Sequence, residues 1–202
     1  MKSRLPALLV LWFLAMSIPA AAQTSSAASA MAADEGGTPI ARVIEAVSKK
    51  TGKKFLLDPK MHASFTLVGQ DLSSLDYGGL LSILDLTGFT AVERGGYVRV
   101  IPEATVRQTA LPVVSASEDR PGDEYVSTVI HLKSVPATQL VPILRPLLPQ
   151  QGHLAALPCK NVLIMVDTFA NVRRIEALIQ SFDTGEPYRT EKCEIKPPAR
   201  QN

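Results

Sequence analysis

The chain has 202 residues, with 21 basic and 19 acidic side chains, and hydrophobic residues make up 46% of it. Without Lys2 and Arg4, at the start of the chain, 19 charges of each sign remain. A neutral protein has no long-range attraction to phosphate or anionic lipid, so this balance disfavours nucleic-acid binding.

Residues 1–22 are predicted to be an export signal, with a basic start and an apolar core over residues 5–16. Ala20 and Ala22 are the small residues of the predicted cleavage site. A second cut site lies at residues 28–30. The apolar core is shorter than the roughly 20 residues of a transmembrane helix, and no later segment is apolar enough to span a bilayer. We therefore expect cleavage rather than retention, and a mature form without a membrane span.

Residues 23–37 are rich in small polar residues and are predicted to be a flexible lead. A first unit is predicted over residues 38–102, opening with a helix that Thr38 caps. The other predicted elements of this unit are strands at 55–57 and 65–68, a helix at 80–86, and a hairpin whose strands, 89–93 and 97–101, flank Gly95-Gly96.

Residues 103–124 lack a sustained period and are predicted to be a linker. A second unit is predicted over residues 125–183, and residues 184–202 form a tail. Within the second unit, Pro142 and Pro146 should bend or end the first helix. The predicted elements of this unit are strands at 125–132, 154–157 and 162–166, and two helices, one starting at 135–136 and one starting after Asp167-Thr168.

The two cysteines, Cys159 and Cys193, both lie in the part predicted to be exported. In an oxidising compartment, two cysteines are expected to form a disulfide. Two unpaired thiols are the alternative, because sequence alone does not show pairing.

The sequence contains no motif of a catalytic, cofactor-binding or metal-binding site. His62, His131 and His153 are scattered, and no zinc-ligand spacing joins them. No Gly-x-Ser-x-Gly nucleophile elbow and no phosphate-binding glycine loop occurs. Asp167 is interpreted as a helix cap rather than a catalytic carboxylate. We therefore predict no enzyme, no cofactor and no metal.

Three segments of the first unit, residues 51–59, 65–68 and 95–102, resemble the first periplasmic domain of type II secretion secretins. In that family a helix ends at Thr-Gly-Lys and leads into a strand that Asp-Pro closes. The signalling domain of TonB-dependent receptors shares this fold.

The second unit is similar to the next, NolW-like domain of secretins, in the order in which the family has the two domains. The matching segments are residues 140–147, 152–156, 161–164 and 171–176. The resemblance implies an α+β protein of two small mixed domains, the second of them KH-like. RNA-binding KH domains need a Gly-x-x-Gly loop. Gly152 is the one glycine of residues 125–183, so nucleic acid is not an expected ligand.

Two features depart from the family pattern. The family's first domain opens with a strand, and nothing in residues 23–37 indicates one. Only 19 residues follow Asp183, too few for the membrane barrel that follows such domains in secretins. We therefore expect a docking part without a pore of its own.

The resemblance implies a non-catalytic protein of a type II-like secretion system, located in the periplasm at an outer-membrane secretion complex. Its expected partners are the secretin ring or inner-membrane components, and a homo-oligomer is a further option. A signalling or sensing module is the alternative function. Tyr97, Val98 and Arg99 are predicted to be a free strand edge for a partner. Alternatively, Tyr97 and Arg99 face solvent while Val98 and Val100 fill the core.

Overall fold

The computed structural model describes residues 37–190. In its first lobe two helices pack on one face of a three-stranded sheet. The elements are β1 (Thr38–Pro39), α1 (Ile40–Thr51), β2 (Phe55–Leu56), β3 (Ser64–Phe65), α2 (Tyr77–Leu86), β4 (Phe89–Arg94) and β5 (Tyr97–Pro102). The strand order of the sheet is β2-β5-β4, with β2 parallel and β4 antiparallel to β5.

Helix α1 follows from the spacing of its apolar residues. Its four buried side chains, Ile40, Val43, Ile44 and Val47, recur every three or four residues and so form one face towards the core. The helix ends at Gly52, whose φ of 71° is a left-handed conformation that glycine adopts without steric cost.

The first lobe has an opening strand, which the sequence did not indicate. Thr38 and Pro39 form β1 and pair antiparallel with Phe65 and Ser64 of β3. Pro39 is the residue before α1, so the prediction that Thr38 caps this helix is wrong. A strand of two residues shows no period of 2, which is why pattern analysis missed it.

The second lobe places two helices on one face of another three-stranded sheet. Its elements are β6 (Tyr125–His131), α3 (Ala137–Leu144), β7 (His153–Leu157), β8 (Val162–Thr168) and α4 (Phe169–Phe182). Strand β8 lies between β6 and β7 and is antiparallel to both. The predicted α+β class is confirmed; the KH-like assignment stays a prediction.

Two prolines lie near the C-terminal end of α3, Pro142 inside the helix and Pro146 just after it. The α-helix stops at Leu144. Residues Arg145–Leu147 continue as a 3-10 turn. Pro146 has no backbone N–H and so cannot donate to the Pro142 carbonyl, which ends the α-helical hydrogen bonding although Arg145 itself keeps helical φ and ψ.

The predicted linker is packed rather than loose. Residues Glu103–Gln108 form a 3-10 helix whose Val106 is fully buried. Val106 belongs to a small apolar cluster with Val92 of the first lobe and Tyr125 of the second. Further along, Val114 N donates to Ser127 O at 2.9 Å. The segment thus holds the two lobes together within one compact unit. No helix among residues 37–190 has the length and apolar character to cross a membrane.

Candidate docking surface

The predicted partner edge at Tyr97–Arg99 is not an edge. These residues belong to β5, the central strand of the first sheet, where Val98 pairs with Phe55 on one side and Glu93 on the other. Val98 N also donates to Lys54 O at 2.8 Å. The prediction is therefore wrong, because the hairpin partner and the parallel strand β2 together occupy both sides of this segment.

The alternative interpretation of the same segment agrees with the structure. Val98 and Val100 are 2% and 5% exposed and belong to the core of the first lobe. Tyr97 is 43% exposed, and Arg99 is exposed as well. The two residues lie on the sheet face opposite the helices, so this segment offers a partner side chains rather than backbone groups.

The outer face of the second sheet is covered only in part: Tyr125, on that face, is buried beside Val92 and Val106, whereas the middle of the face is exposed. Val129, Ile164 and Ala155 form a row across the three strands, since Ile164 is paired with both of its neighbours. Val129 and Ile164 are 44% and 42% exposed. Leu157 lies in the adjacent row and is 41% exposed. We call these four residues the open face. Adjacent exposed apolar side chains of this kind are typical of protein interaction surfaces.

The free strand edge of the second sheet lies at β7. Strand β7 pairs with β8 on one side and, among the described residues, has no strand partner on the other. The opposite edge, β6, is partly covered because Val113 forms a bridge with Ser127. An extended segment of a partner could therefore add to β7 by backbone hydrogen bonding.

Asp167 is fully buried at the end of β8, and its carboxylate is used within the fold. Burial raises the pKa of Asp167, although hydrogen bonds from the Asn171 side chain and from Thr168 N act in the opposite direction. The two distances are 2.6 and 2.7 Å. Thr168, not Asp167, precedes α4 and makes no side-chain cap bond. Asp167 still binds the start of the helix, which is a structural role.

The remaining predicted site residues are dispersed. Cys159 lies half-buried in the 3-10 turn Pro158–Lys160. Cys193, Ala20 and Ala22 lie outside the described residues, so the disulfide and the cleavage site stay predictions. Residues 37–190 contain no cluster of three or more His, Cys, Asp or Glu residues that could hold a metal ion. The three histidines, His62, His131 and His153, lie in a loop, at the end of β6 and at the start of β7.

Both lobes match known domain families. Residues 36–100 match the family described as the GspD-like N0 domain, and residues 127–187 match the bacterial type II/III secretion system short domain. The chain is therefore homologous to the N-terminal region of the type II secretion secretins.

Individual relatives agree with this assignment. The chain is 36% identical over 146 residues to the secretin XcpQ of Pseudomonas aeruginosa. This alignment covers 71% of this chain and 21% of XcpQ. It is 31% identical over 163 residues to the secretin PulD of Klebsiella pneumoniae, covering 78% of this chain and 25% of PulD. The chain thus spans about a fifth to a quarter of the length of these relatives.

A solved assembly has a similar fold. A chain of the Klebsiella pneumoniae type II secretion system outer membrane complex, which contains PulD, PulS and the PulC HR domain, superposes with a TM-score of 0.62 at 31% identity. The match covers 73% of this chain and 26% of the other. Sequence and fold therefore point to the same family region.

Proposed function

We propose that this protein is a non-catalytic docking component of a type II-like secretion system. The observation that carries the proposal is the presence of both secretin N-terminal domain types in one chain, at residues 36–100 and 127–187. Secretins are structural channel components, and their N-terminal domains are periplasmic parts of outer-membrane complexes. We accordingly assign the exported chain to the periplasm, with a secretin or an inner-membrane component as its partner.

The open face is the surface that best fits this role. Its four side chains are apolar, and two of them are β-branched, so they are stiff and lose little conformational entropy on binding. Helix α4 presents a complementary surface, because Leu178 and Phe182 are 40% and 42% exposed. The helix face of a second copy, or of a secretin domain of the same type, could therefore cover the open face of this chain.

Site-specific crosslinking in living cells tests the docking proposal. A photoreactive amino acid replaces Ile164 or Ala155 on the open face, and Val68 serves as the control. Val68 is 86% exposed and lies in the first lobe, away from the second sheet. We expect crosslinks to secretion components from the open face, with or without crosslinks to a second copy, and none from Val68. Recovery of no secretion component from either open-face position would reject the proposal.

The location is tested separately. Cell fractionation and N-terminal sequencing should recover a periplasmic protein that begins at Gln23. A protein in the inner membrane that still begins at Met1 would contradict export with cleavage.

A further inference from the structure

Two arginines lie side by side on the outer face of the first sheet. In the register of β4 and β5, Arg94 is opposite Tyr97 and Arg99 is opposite Val92. Residues opposite each other share a face, and Arg99 is two positions from Tyr97, so Arg94 and Arg99 are diagonal neighbours. Such neighbours are about 7–8 Å apart, which is within reach of two long guanidinium side chains.

Neither arginine has a counter-ion within the described residues. The ion pairs of residues 37–190 involve Lys49, Lys53 and Arg120. Glu93, adjacent in sequence to Arg94, faces the other side of β4 and pairs with Lys53 at 2.8 Å. Like charges at this separation repel each other by Coulomb's law. An anion between the two guanidinium groups would therefore relieve a repulsion that the fold itself leaves in place.

The arginines line a cavity of about 240 Å³ between the sheet and the segment that follows β5. Thr105, Gln108 and Thr109 line its other side. The two threonine hydroxyls donate to Pro102 O and Thr105 O, at 2.9 and 3.2 Å. The side-chain donors left to face a ligand are therefore the two guanidinium groups and the Gln108 amide. This donor set suits a carboxylate, which arginine binds through paired hydrogen bonds.

Two exposed apolar side chains lie beside the arginines on the same sheet face, which favours a peptide over a free anion. Leu56 pairs with Arg99 across β2 and β5 and is 48% exposed. Tyr97, opposite Arg94, is 43% exposed. A segment that combines an acidic side chain with apolar neighbours would contact both the charged centre and these two side chains.

We propose that Arg94 and Arg99 form a binding site for an acidic segment of a partner protein, with a carboxylate between the two guanidinium groups. This site is separate from the open face of the second lobe. It rests on the proposed function only in that the partner would be a secretion component.

Binding is measured by a nuclear magnetic resonance titration of the purified protein at low salt. The probe is a capped hexapeptide that alternates glutamate and leucine, and a matched peptide carries glutamine in place of glutamate. We expect the acidic peptide to shift the amide signals of residues 94–99 and 105–109, and the glutamine peptide to leave them unchanged. Added salt should weaken the binding, because the contact is between exposed charges.

Two double variants, each of which loses two positive charges, distinguish binding at a specific site from general electrostatic attraction of the peptide to the protein. Arg94→Gln with Arg99→Gln should raise the Kd about tenfold or more, as loss of charge-assisted hydrogen bonds predicts. Arg42→Gln with Arg173→Gln, both exposed and on helices that do not line the cavity, should raise the Kd less than about twofold. Equal weakening by both double variants, or binding of the glutamine peptide, would overturn the site.

Two further outcomes are informative. If sulfate binds at the arginines as tightly as the peptide does, the site is for small anions and the peptide assignment is wrong. If the acidic peptide binds at the arginines but crosslinking recovers no secretion component, the proposed function fails and the arginine site stands. If crosslinking recovers a secretion component but the acidic peptide does not bind at the arginines, the arginine site is wrong and the proposed function stands.

Discussion

Asp183, at the end of α4, is bound to Ser134 in the turn before α3 by two hydrogen bonds to one carboxylate oxygen. Asp183 Oδ1 accepts from Ser134 N at 2.6 Å and from Ser134 Oγ at 2.8 Å. The same carboxylate accepts from Lys133 N at 2.6 Å and Val135 N at 2.9 Å. One side chain thus satisfies three backbone donors ahead of α3 and fixes the end of the second lobe to its beginning.

Replacement of Asp183 by asparagine should lower the free energy of unfolding. Partial burial of Asp183 acts to raise its pKa, but the hydrogen bonds from Lys133, Ser134 and Val135 outweigh this and lower the pKa to about 2. An amide offers one acceptor oxygen instead of two, so at least one backbone donor loses its partner. We expect a loss of about 1–2 kcal/mol in urea unfolding near neutral pH.

The effect of Asp183→Asn should depend on pH in a defined direction. A carboxylate whose pKa is lowered by folding stabilises the protein above its unfolded pKa of 3.8, and this contribution is lost as the pH falls towards 2. The wild type and the variant should therefore converge in acid. Asp58→Asn serves as the control, because the exposed Asp58 carboxylate accepts a single hydrogen bond within the described residues, from Lys60 N. A stability difference that is the same at neutral and acidic pH would contradict this account.

Asn161 should be sensitive to substitution for two separable reasons. It is 4% exposed, has a φ of 50°, and its side chain accepts from Ala137 N at 2.8 Å. Its amide also donates to Leu132 O and Val135 O. Asn161→Gly should cost about 1–3 kcal/mol through the lost hydrogen bonds. Asn161→Ala should cost about 1–2 kcal/mol more, because alanine is strained at positive φ.

Denaturant unfolding of both Asn161 variants measures the two contributions. The difference between alanine and glycine reports the backbone strain. If the alanine variant is as stable as the glycine variant or more so, the backbone at residue 161 is not held at positive φ in solution.

Val106 should couple the two lobes. Its side chain is fully buried with Val92 and Tyr125. Beside this cluster, the Tyr125 hydroxyl donates to the Glu103 carboxylate. Val106→Ala removes two methyl groups from the cluster and should cost about 1–3 kcal/mol. Hydrogen exchange should show faster opening on both sides of the cluster, whereas Arg107→Ala, at an exposed neighbour, should leave the exchange unchanged. Faster exchange in one lobe alone would contradict coupling through Val106.

Cys159 and Cys193 are expected to be joined in the exported protein. A bond between them closes a loop of about 35 residues and, on the chain-entropy model, stabilises the fold by roughly 3–4 kcal/mol. It would also hold the tail close to the turn Pro158–Lys160. Mass spectrometry of the folded protein under non-reducing conditions should find the two peptides linked; two free thiols would exclude the bond.

The helices and most strands of residues 37–190 followed from local sequence patterns. The apolar spacing of Ile40, Val43, Ile44 and Val47 predicts the buried face of α1, and all four are buried. Gly95-Gly96 predicts the turn between β4 and β5, and both glycines have positive φ. Patterns of this kind are carried by residues close in the chain, so the sequence alone contains them.

Strand neighbours and charge partners could not be derived in that way. Nothing near Tyr97, Val98 and Arg99 indicates that β2, some 40 residues earlier, pairs with this segment, and so the predicted edge was wrong. The placement of Arg94 and Arg99 as diagonal neighbours on one face likewise depends on the register of two strands. The role of Asp183 depends on a turn 49 residues away.

The sequence by itself determined the α+β class, the order of the main elements and the resemblance to secretin N-terminal domains. The tertiary structure alone decided that β5 is a central strand and that residues 103–124 pack against both lobes. It also decided that two arginines share a face on which no residue of the described range 37–190 forms an ion pair with them. The physical reason is that periodicity reports which side of an element is buried. Burial does not specify which distant segment covers that side, and this follows only when the whole chain has packed.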